Sequence, residues 1–375
     1  MPIDRRTFFA LAAGASAATF LPLQKAGAAQ VVVSGEPHPE YADFDNLIVQ
    51  FMVNENIRSG QFAFGKNGAV LFAHGYTNAT EAGYMRTRSD SIFRVASLSK
   101  AFTSACLTEL MARGKFTEET PLFEYIGIDD VLVPTQKPDS RIGRVTIGQA
   151  IAHTAGLEPS GTNDPEFQYR RIENEIDASG PLTREQFARY VYGVGLVSDP
   201  GKTYAYSNIG YFLLGRVVEA ASGQEYYDYL RSTVLTPLGI HDVVQSATAA
   251  SGRLPNEVVY DDNDARGLSV LDPRSLTMLP LPYGGATYWE TFDACSDLAT
   301  SARSLVTFMG HYATWGTGSR HPGDARAGAM PGTESVMHCR KDDVDYAFVF
   351  NQRPDADPFD TDFRRLLDAR FDRGV

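Results

Sequence analysis

Strand-like patterning is confined to the two ends of this chain, and that distribution limits the fold more than any single motif does. Near the start, residues 60–65 and 69–75 are short apolar runs on either side of Asn67-Gly68, a dipeptide suited to a two-residue hairpin turn. Phe44, Leu47, Ile48, Phe51 and Met52 precede them at helical spacing. Strand signals return only at 333–337 and 345–351, where Tyr346, Phe348 and Phe350 alternate with Ala347 and Val349. From Gly114 to about Pro282 the pattern is helical and loop-rich. Residues 145–153 predict a helix stopped by Gly156, and residues 209–221 place Ile209, Phe212, Leu213 and Val217 on one helical face before Ser222-Gly223. Residues 296–309 predict a further helix, and Phe363, Leu366, Leu367 and Phe371 a closing one. The arrangement implies an α+β fold, one sheet domain into which a mainly helical domain is inserted. The sheet part would take residues 36–105 and 285–375, and the helical part residues 106–284.

At 375 residues the chain can build one large domain or two intimate ones. Its net charge of −12 is spread along the sequence, which argues against nucleic acid or an anionic membrane as the main partner. Residues 1–28 read as a twin-arginine export signal: Arg5-Arg6-Thr7-Phe8-Phe9, a mildly apolar run to Leu23, then small residues around a cleavage site near Ala28. The apolar run is shorter than the roughly 20 residues a membrane span needs. A bacterial protein in the periplasm or medium, without an anchor once the signal is cleaved, is therefore expected. Cys106, Cys295 and Cys339 are odd in number and widely spaced, so they read as core residues. His338-Cys339 has no further ligand at metal-site spacing, and no metal or other cofactor is expected.

The chemistry-bearing stretch is Arg94-Val95-Ala96-Ser97-Leu98-Ser99-Lys100. The apolar period from Leu98 to Met111 predicts a helix that starts at Ser97 and stops at Gly114. Residues three apart share a helical face, so the Ser97 hydroxyl and the Lys100 amine can touch. A helix N-terminus also favours negative charge developing there. The second candidate is Tyr204-Ala205-Tyr206-Ser207-Asn208, just before the helix at 209; Tyr206 and Asn208 share a side if the segment is extended. A second Tyr-x-Asn, at Tyr76-Thr77-Asn78, precedes Ser97.

These motifs, with Val145-Thr146-Ile147 leading into His153-Thr154-Ala155-Gly156-Leu157, with Pro200-Gly201-Lys202 before Tyr204, and with Pro237-Leu238-Gly239-Ile240 and Ala329-Met330-Pro331-Gly332-Thr333 in order, resemble the serine β-lactamase and penicillin-binding protein superfamily, in its class C β-lactamase-like and esterase branch. The resemblance runs from Phe44 to about Asn351. It implies a β-lactamase/transpeptidase-like fold with an antiparallel sheet flanked by helices. It further implies Ser97 as an acylated nucleophile, Lys100 and Tyr206 as the proton-handling pair, and Asn208 as holding Lys100 or a substrate amide. The backbone N–H groups of Ser97 and Ala329 would form the oxyanion hole. For Lys100 to serve as the base, its amine must be neutral part of the time, which from about 10.4 requires about 4 to 5 kcal/mol of perturbation.

The chain departs from the resemblance at the third motif, where the family writes Lys-Thr-Gly or His-x-Gly. Alignment on Ala329 puts Arg326-Ala327-Gly328 there; His321-Pro322-Gly323 is the alternative and needs about five extra residues. Either choice loses the lysine that resembles the β-lactam carboxylate anchor, although Arg326 can bind a carboxylate in bidentate fashion. The expected activity is hydrolysis of an ester or small amide through an acyl-enzyme. The alternatives are a D-amino-acid peptidase or weak β-lactamase, an acyltransferase, and a penicillin-binding-type sensor without turnover. Substrate choice is expected in the loops 164–182 and 255–282.

Overall fold

The computed structural model describes residues 31–355 and 362–375. The export signal expected at residues 1–28 lies outside the described residues. In chain order the first strands are β1 (Val32–Ser34), β2 (Ser59–Lys66), β3 (Ala69–Thr77), β4 (Phe93–Arg94) and β5 (Val244–Gln245). They are followed by β6 (Arg266–Leu268), β7 (Met278–Pro280), β8 (Leu298–Thr300), β9 (Ala325–Met330), β10 (Thr333–Cys339) and β11 (Val344–Phe350). Six of them form one antiparallel sheet in the order β1-β3-β2-β11-β10-β9, so that strands from the two ends of the chain pair along β2 and β11. β4, β8 and β5 form a small second sheet, and β6 with β7 a hairpin.

Alternation along the central strands assigns their faces. Phe62 and Phe64 of β2 and Tyr346, Phe348 and Phe350 of β11 share a cluster with helix α1 (Ala42–Asn54) and the closing helix Asp362–Phe371. Ala63, Ala347 and Val349 face the other way, into the larger core that holds helix α2 (Ser99–Ala112) and the helix Ala302–Met309. Large side chains thus fill the outer layer, while small ones let the inner helices approach the sheet closely. At the turn between β2 and β3, Asn67 and Gly68 both take positive φ, 53° and 75°, as a two-residue hairpin requires.

Several expectations need correction. Residues 296–309 are not one helix: Leu298–Thr300 is a strand paired with Phe93 and Arg94, and the helix begins at Ala302 behind a Ser301 cap. The helix expected over 145–153 is the short Ile147–Ile151, and the chain leaves it through His153 at φ +55°, before Gly156 is reached. The sheet also begins at Val32, earlier than the expected boundary at residue 36. The polar stretch 255–282 contains the β6–β7 hairpin. All three cysteines are free and buried.

Candidate active site

The site is built where β4 turns into α2. Residues Ala96–Leu98 form a 3-10 turn, and the α-helix proper starts at Ser99 rather than at Ser97 as expected, so Ser97 stands in the turn just ahead of the helix. Ala96 has φ +47°, a left-handed conformation that costs a residue with a Cβ about 1–2 kcal/mol. Packing of Ala96 against Trp289 and Met330 holds it there. The preceding Arg94 is fully buried, and its guanidinium donates to Ser246 Oγ (2.5 Å), to the Pro282 carbonyl (2.6 Å) and to the Ala247 carbonyl (2.7 Å). From β10, Thr333 Oγ1 donates to the Arg94 carbonyl at 2.8 Å and Ser335 Oγ to the Val95 carbonyl at 2.9 Å. The segment that presents Ser97 is therefore anchored on both sides.

Lys100 Nζ donates to Ser97 Oγ at 3.0 Å and to the Cys295 carbonyl at 2.8 Å. The Tyr206 phenol donates to the same Ser97 Oγ at 2.8 Å. Ser97 is partly exposed, whereas Lys100 is fully buried. Burial alone would push the Lys100 amine down, but the ionisable groups around it, Tyr206 first, then Cys295 and then Glu166, outweigh it and hold the amine above its ordinary range. Burial likewise opposes ionisation of Tyr206, yet the Lys100 and Arg326 cations, helped by the Ser97 hydrogen bond, bring its phenol below the usual value. Together these directions favour a charged amine beside a phenol that ionises more readily than usual, because the opposite charge next to Lys100 outweighs desolvation, whereas a Lys100 base needs an amine that is neutral part of the time.

Tyr206 is positioned by the loop that follows His153. Ala205 N–H donates to the His153 carbonyl (2.8 Å), and Ser160 N–H to the Tyr206 carbonyl (2.7 Å). Ser207 caps the helix Asn208–Ser222 through its hydroxyl, and its N–H donates to His153 Nδ1 at 3.1 Å. That bond makes Nδ1 the acceptor, and burial followed by the Arg326 and Lys100 charges holds the imidazole down at about 3, so His153 is neutral and serves as a packing surface under Tyr206. Asn208 is buried and does not turn its amide nitrogen to Lys100; Nδ2 donates to Asp164 Oδ2 at 2.7 Å and to Ser160 Oγ at 3.2 Å. The loop beginning at Asp164, expected to shape substrate choice, thus starts by turning inward.

Of the two third-motif candidates, Arg326 lies on β9 beside the site and His321 lies on an exposed turn. His321 is exposed and paired only with Asp324 across a turn. Arg326 lies on β9, opposite Met337, and its guanidinium is fully buried, stacked 4.3 Å from the Trp315 ring and bonded to the Thr314 carbonyl at 2.9 Å. It is not presented to solvent as a carboxylate anchor. Gly328 packs directly on the segment that carries Ser97: a Cβ there would sit 2.4 Å from the Val95 carbonyl and 3.0 Å from Ser97 N. The two-residue turn Pro331-Gly332 makes Met330 and Thr333 a hydrogen-bonded pair, so alternation leaves the N–H of the exposed Ala329 on the outer edge of β9.

Sequence reasoning gave no individual role to Arg94, Asp164, Glu166 or Trp315. No local signal marks them, because each acquires its role through partners distant in the chain.

The antiparallel sheet with helices on both faces and helical elements between its halves defines a β-lactamase/transpeptidase fold. The sequence model of the Beta-lactamase family matches residues 44–367, and the chain belongs to that family of serine hydrolases. Among curated relatives, Penicillin-binding protein 4 of Amycolatopsis lactamdurans is 30% identical over 217 residues, covering 57% of this chain and 51% of the relative. The D-alanyl-D-alanine-carboxypeptidase/endopeptidase AmpH of Escherichia coli strain K12 is 29% identical over 180 residues, 47% of this chain and 42% of the relative. The chain spans about half the length of the curated relatives it matches. Among solved structures, a class C beta lactamase superposes with a TM-score of 0.63 at 16% identity, covering 88% of this chain and 98% of that one. The D-amino acid amidase of Ochrobactrum anthropi SV3 gives 0.61 at 18% identity, with 88% and 100% covered. At these identities the likeness establishes the fold.

Proposed function

We propose that this chain is an exported serine hydrolase that forms an acyl-enzyme at Ser97 and releases the acyl group of an ester or small amide to water. The observation that carries the reading is a single oxygen, Ser97 Oγ, held between an ammonium at 3.0 Å and a phenol at 2.8 Å. Lys100 donates to that oxygen, which leaves the serine's own hydrogen available to Tyr206 once the phenol has ionised. Tyr206 then takes the proton as Oγ bonds to the substrate carbonyl carbon, and passes it to the leaving group as the old bond breaks. In the second half, water attacks the acyl carbon, its proton goes to Tyr206, and Ser97 recovers a proton on release of the acid. The N–H groups of Ser97 and Ala329 are the donors for the oxyanion formed in each half.

The burial of Arg326 supports esters and small amides over substrates that carry a free carboxylate, such as β-lactams. Amide hydrolysis is also in keeping with the names of the amidase and carboxypeptidase relatives. The test assays p-nitrophenyl acetate, a D-amino-acid p-nitroanilide and nitrocefin side by side with wild type and Ser97→Ala. Ser97-dependent turnover of the ester or anilide, with nitrocefin slower, is expected. Turnover that survives Ser97→Ala overturns the reading; no Ser97-dependent turnover of any of the three favours an acylated sensor.

A further inference from the structure

Behind Lys100 lies a pair of buried carboxyl groups that the reaction as described does not use. Asp164 is fully buried and Glu166 is 1% exposed. Asp164 caps the short turn Pro165–Gln168, with Oδ1 accepting the Glu166 N–H at 3.0 Å. Its Oδ2 accepts from Asn208 Nδ2. With Ser160 Oγ taking the second hydrogen of that amide, Asn208 Oδ1 is turned away from Asp164. Glu166 Oε1 accepts from Ser296 Oγ at 2.6 Å, next to the Cys295 carbonyl that receives Lys100. Glu166 Oε2 is buried without a hydrogen-bond partner among the described residues.

The charged and titratable groups that face the pair are Lys100 from α2 and the Cys295 thiol from the segment before β8. Lys100 is in turn faced by Tyr206 and, from β9, by Arg326. Charge on Asp164 opposes ionisation of the buried Glu166, and Lys100 is the cation that favours the charged form of both. Asp164 has two donors to stabilise a charge, whereas the unpartnered oxygen of Glu166 is the natural seat of a proton.

We infer that Asp164 and Glu166 are positioning residues for the reaction at Ser97: Asp164 holds Asn208, Glu166 holds Ser296 next to the carbonyl that receives Lys100, and the pair presents negative charge towards the Lys100 amine. The inference rests on the acyl-enzyme reading for its consequence in turnover, but the state of Lys100 is measurable without turnover. Burial raises both carboxyl groups, Asp164 to about 6 and Glu166 to about 7, which sets the window in which the charge behind Lys100 builds up as pH rises.

The test uses the full chain as wild type, Asp164→Asn, Glu166→Gln and the double variant. The Lys100 amine is titrated by NMR of 15N-lysine-labelled protein, its signal assigned by loss in Lys100→Arg, and kcat and KM for p-nitrophenyl acetate are followed across pH. The Lys100 midpoint is expected to drop measurably in the double variant, with Glu166→Gln supplying most of the shift. Its kcat should fall at least about tenfold with KM little changed, and the acidic limb of its pH profile should lose the contribution between about 6 and 7. A Lys100 titration and a pH profile that stay in place, with Ser97-dependent turnover intact, overturn the inference. A shifted Lys100 titration in a protein without Ser97-dependent turnover supports the pair and sinks the hydrolase reading instead. Where Asp164→Asn fails to fold, Glu166→Gln carries the same test above pH 7, where Glu166 has given up its proton and the substitution removes a charge.

Discussion

Ser97 has two neighbours able to receive its proton, and the surroundings of each decide between them. Lys100 is buried among groups that supply negative charge, whereas Tyr206 lies between two cations, Lys100 and Arg326. The sign of the pH dependence follows. Because the Tyr206 phenol is lowered, the reactive phenolate is present above that lowered value and is lost as pH falls through it. Because the Lys100 amine is raised, its charge persists to high pH and is lost only above its ordinary range. The kcat/KM for p-nitrophenyl acetate is therefore predicted to climb with pH through a limb below about 10. Tyr206→Phe should lower kcat by about 10² to 10⁴ with the fold retained, as judged by circular dichroism. Lys100→Ala removes the main cation that depresses Tyr206, so the limb of its residual activity should move to higher pH. A limb that stays in place in Lys100→Ala contradicts the assignment of Tyr206 as the base.

At the scale of elements, the cleft depends on how closely β9 approaches the turn before α2. Gly328 permits that approach, since any Cβ there collides with the Val95 carbonyl, a backbone atom that has no side-chain freedom to yield. Gly328→Ala is predicted to push β9 off the nucleophile, lowering kcat by about tenfold or more while far-UV circular dichroism stays unchanged. Normal kinetics in this variant would show that β9 does not set the oxyanion geometry. The same strand shows where reading the sequence stopped. Ala325-Arg326-Ala327-Gly328-Ala329 contains no β-branched or aromatic residue, and its pairing comes from β10 rather than from its own preference. β11, by contrast, was legible because Tyr346, Phe348 and Phe350 alternate cleanly with small residues. The strand Leu298–Thr300 was hidden because three apolar-rich residues before a capped helix extend the helical pattern without a break.

For the whole molecule, the larger hydrophobic core runs without interruption from Ala63 and Ala347 on the sheet, through α2, to Phe187 and Phe212 among the helices. Helix α2, at whose start Ser97 lies, is thus held by both halves of the chain, which explains how motifs separated by more than 100 residues meet at one oxygen. Ser97 and Lys100 were legible because their spacing alone makes them neighbours on a helix. Tyr206, Gly328 and Ala329 needed the resemblance, since nothing local separates Tyr206 from Tyr76. Tyr76 lies on β3, bonded to Asp45. Asp164 and Glu166 were not legible as a buried pair, because two acids around a proline read as an exposed loop until Asn208 and Ser296 close over them. The most direct test of the central claim is the mass of the intact protein, with peptide mapping, after brief exposure to p-nitrophenyl acetate. The account predicts one added acetyl group on the peptide that contains Ser97 and none in Ser97→Ala; an acetyl group on another residue, with turnover unchanged in Ser97→Ala, would contradict it.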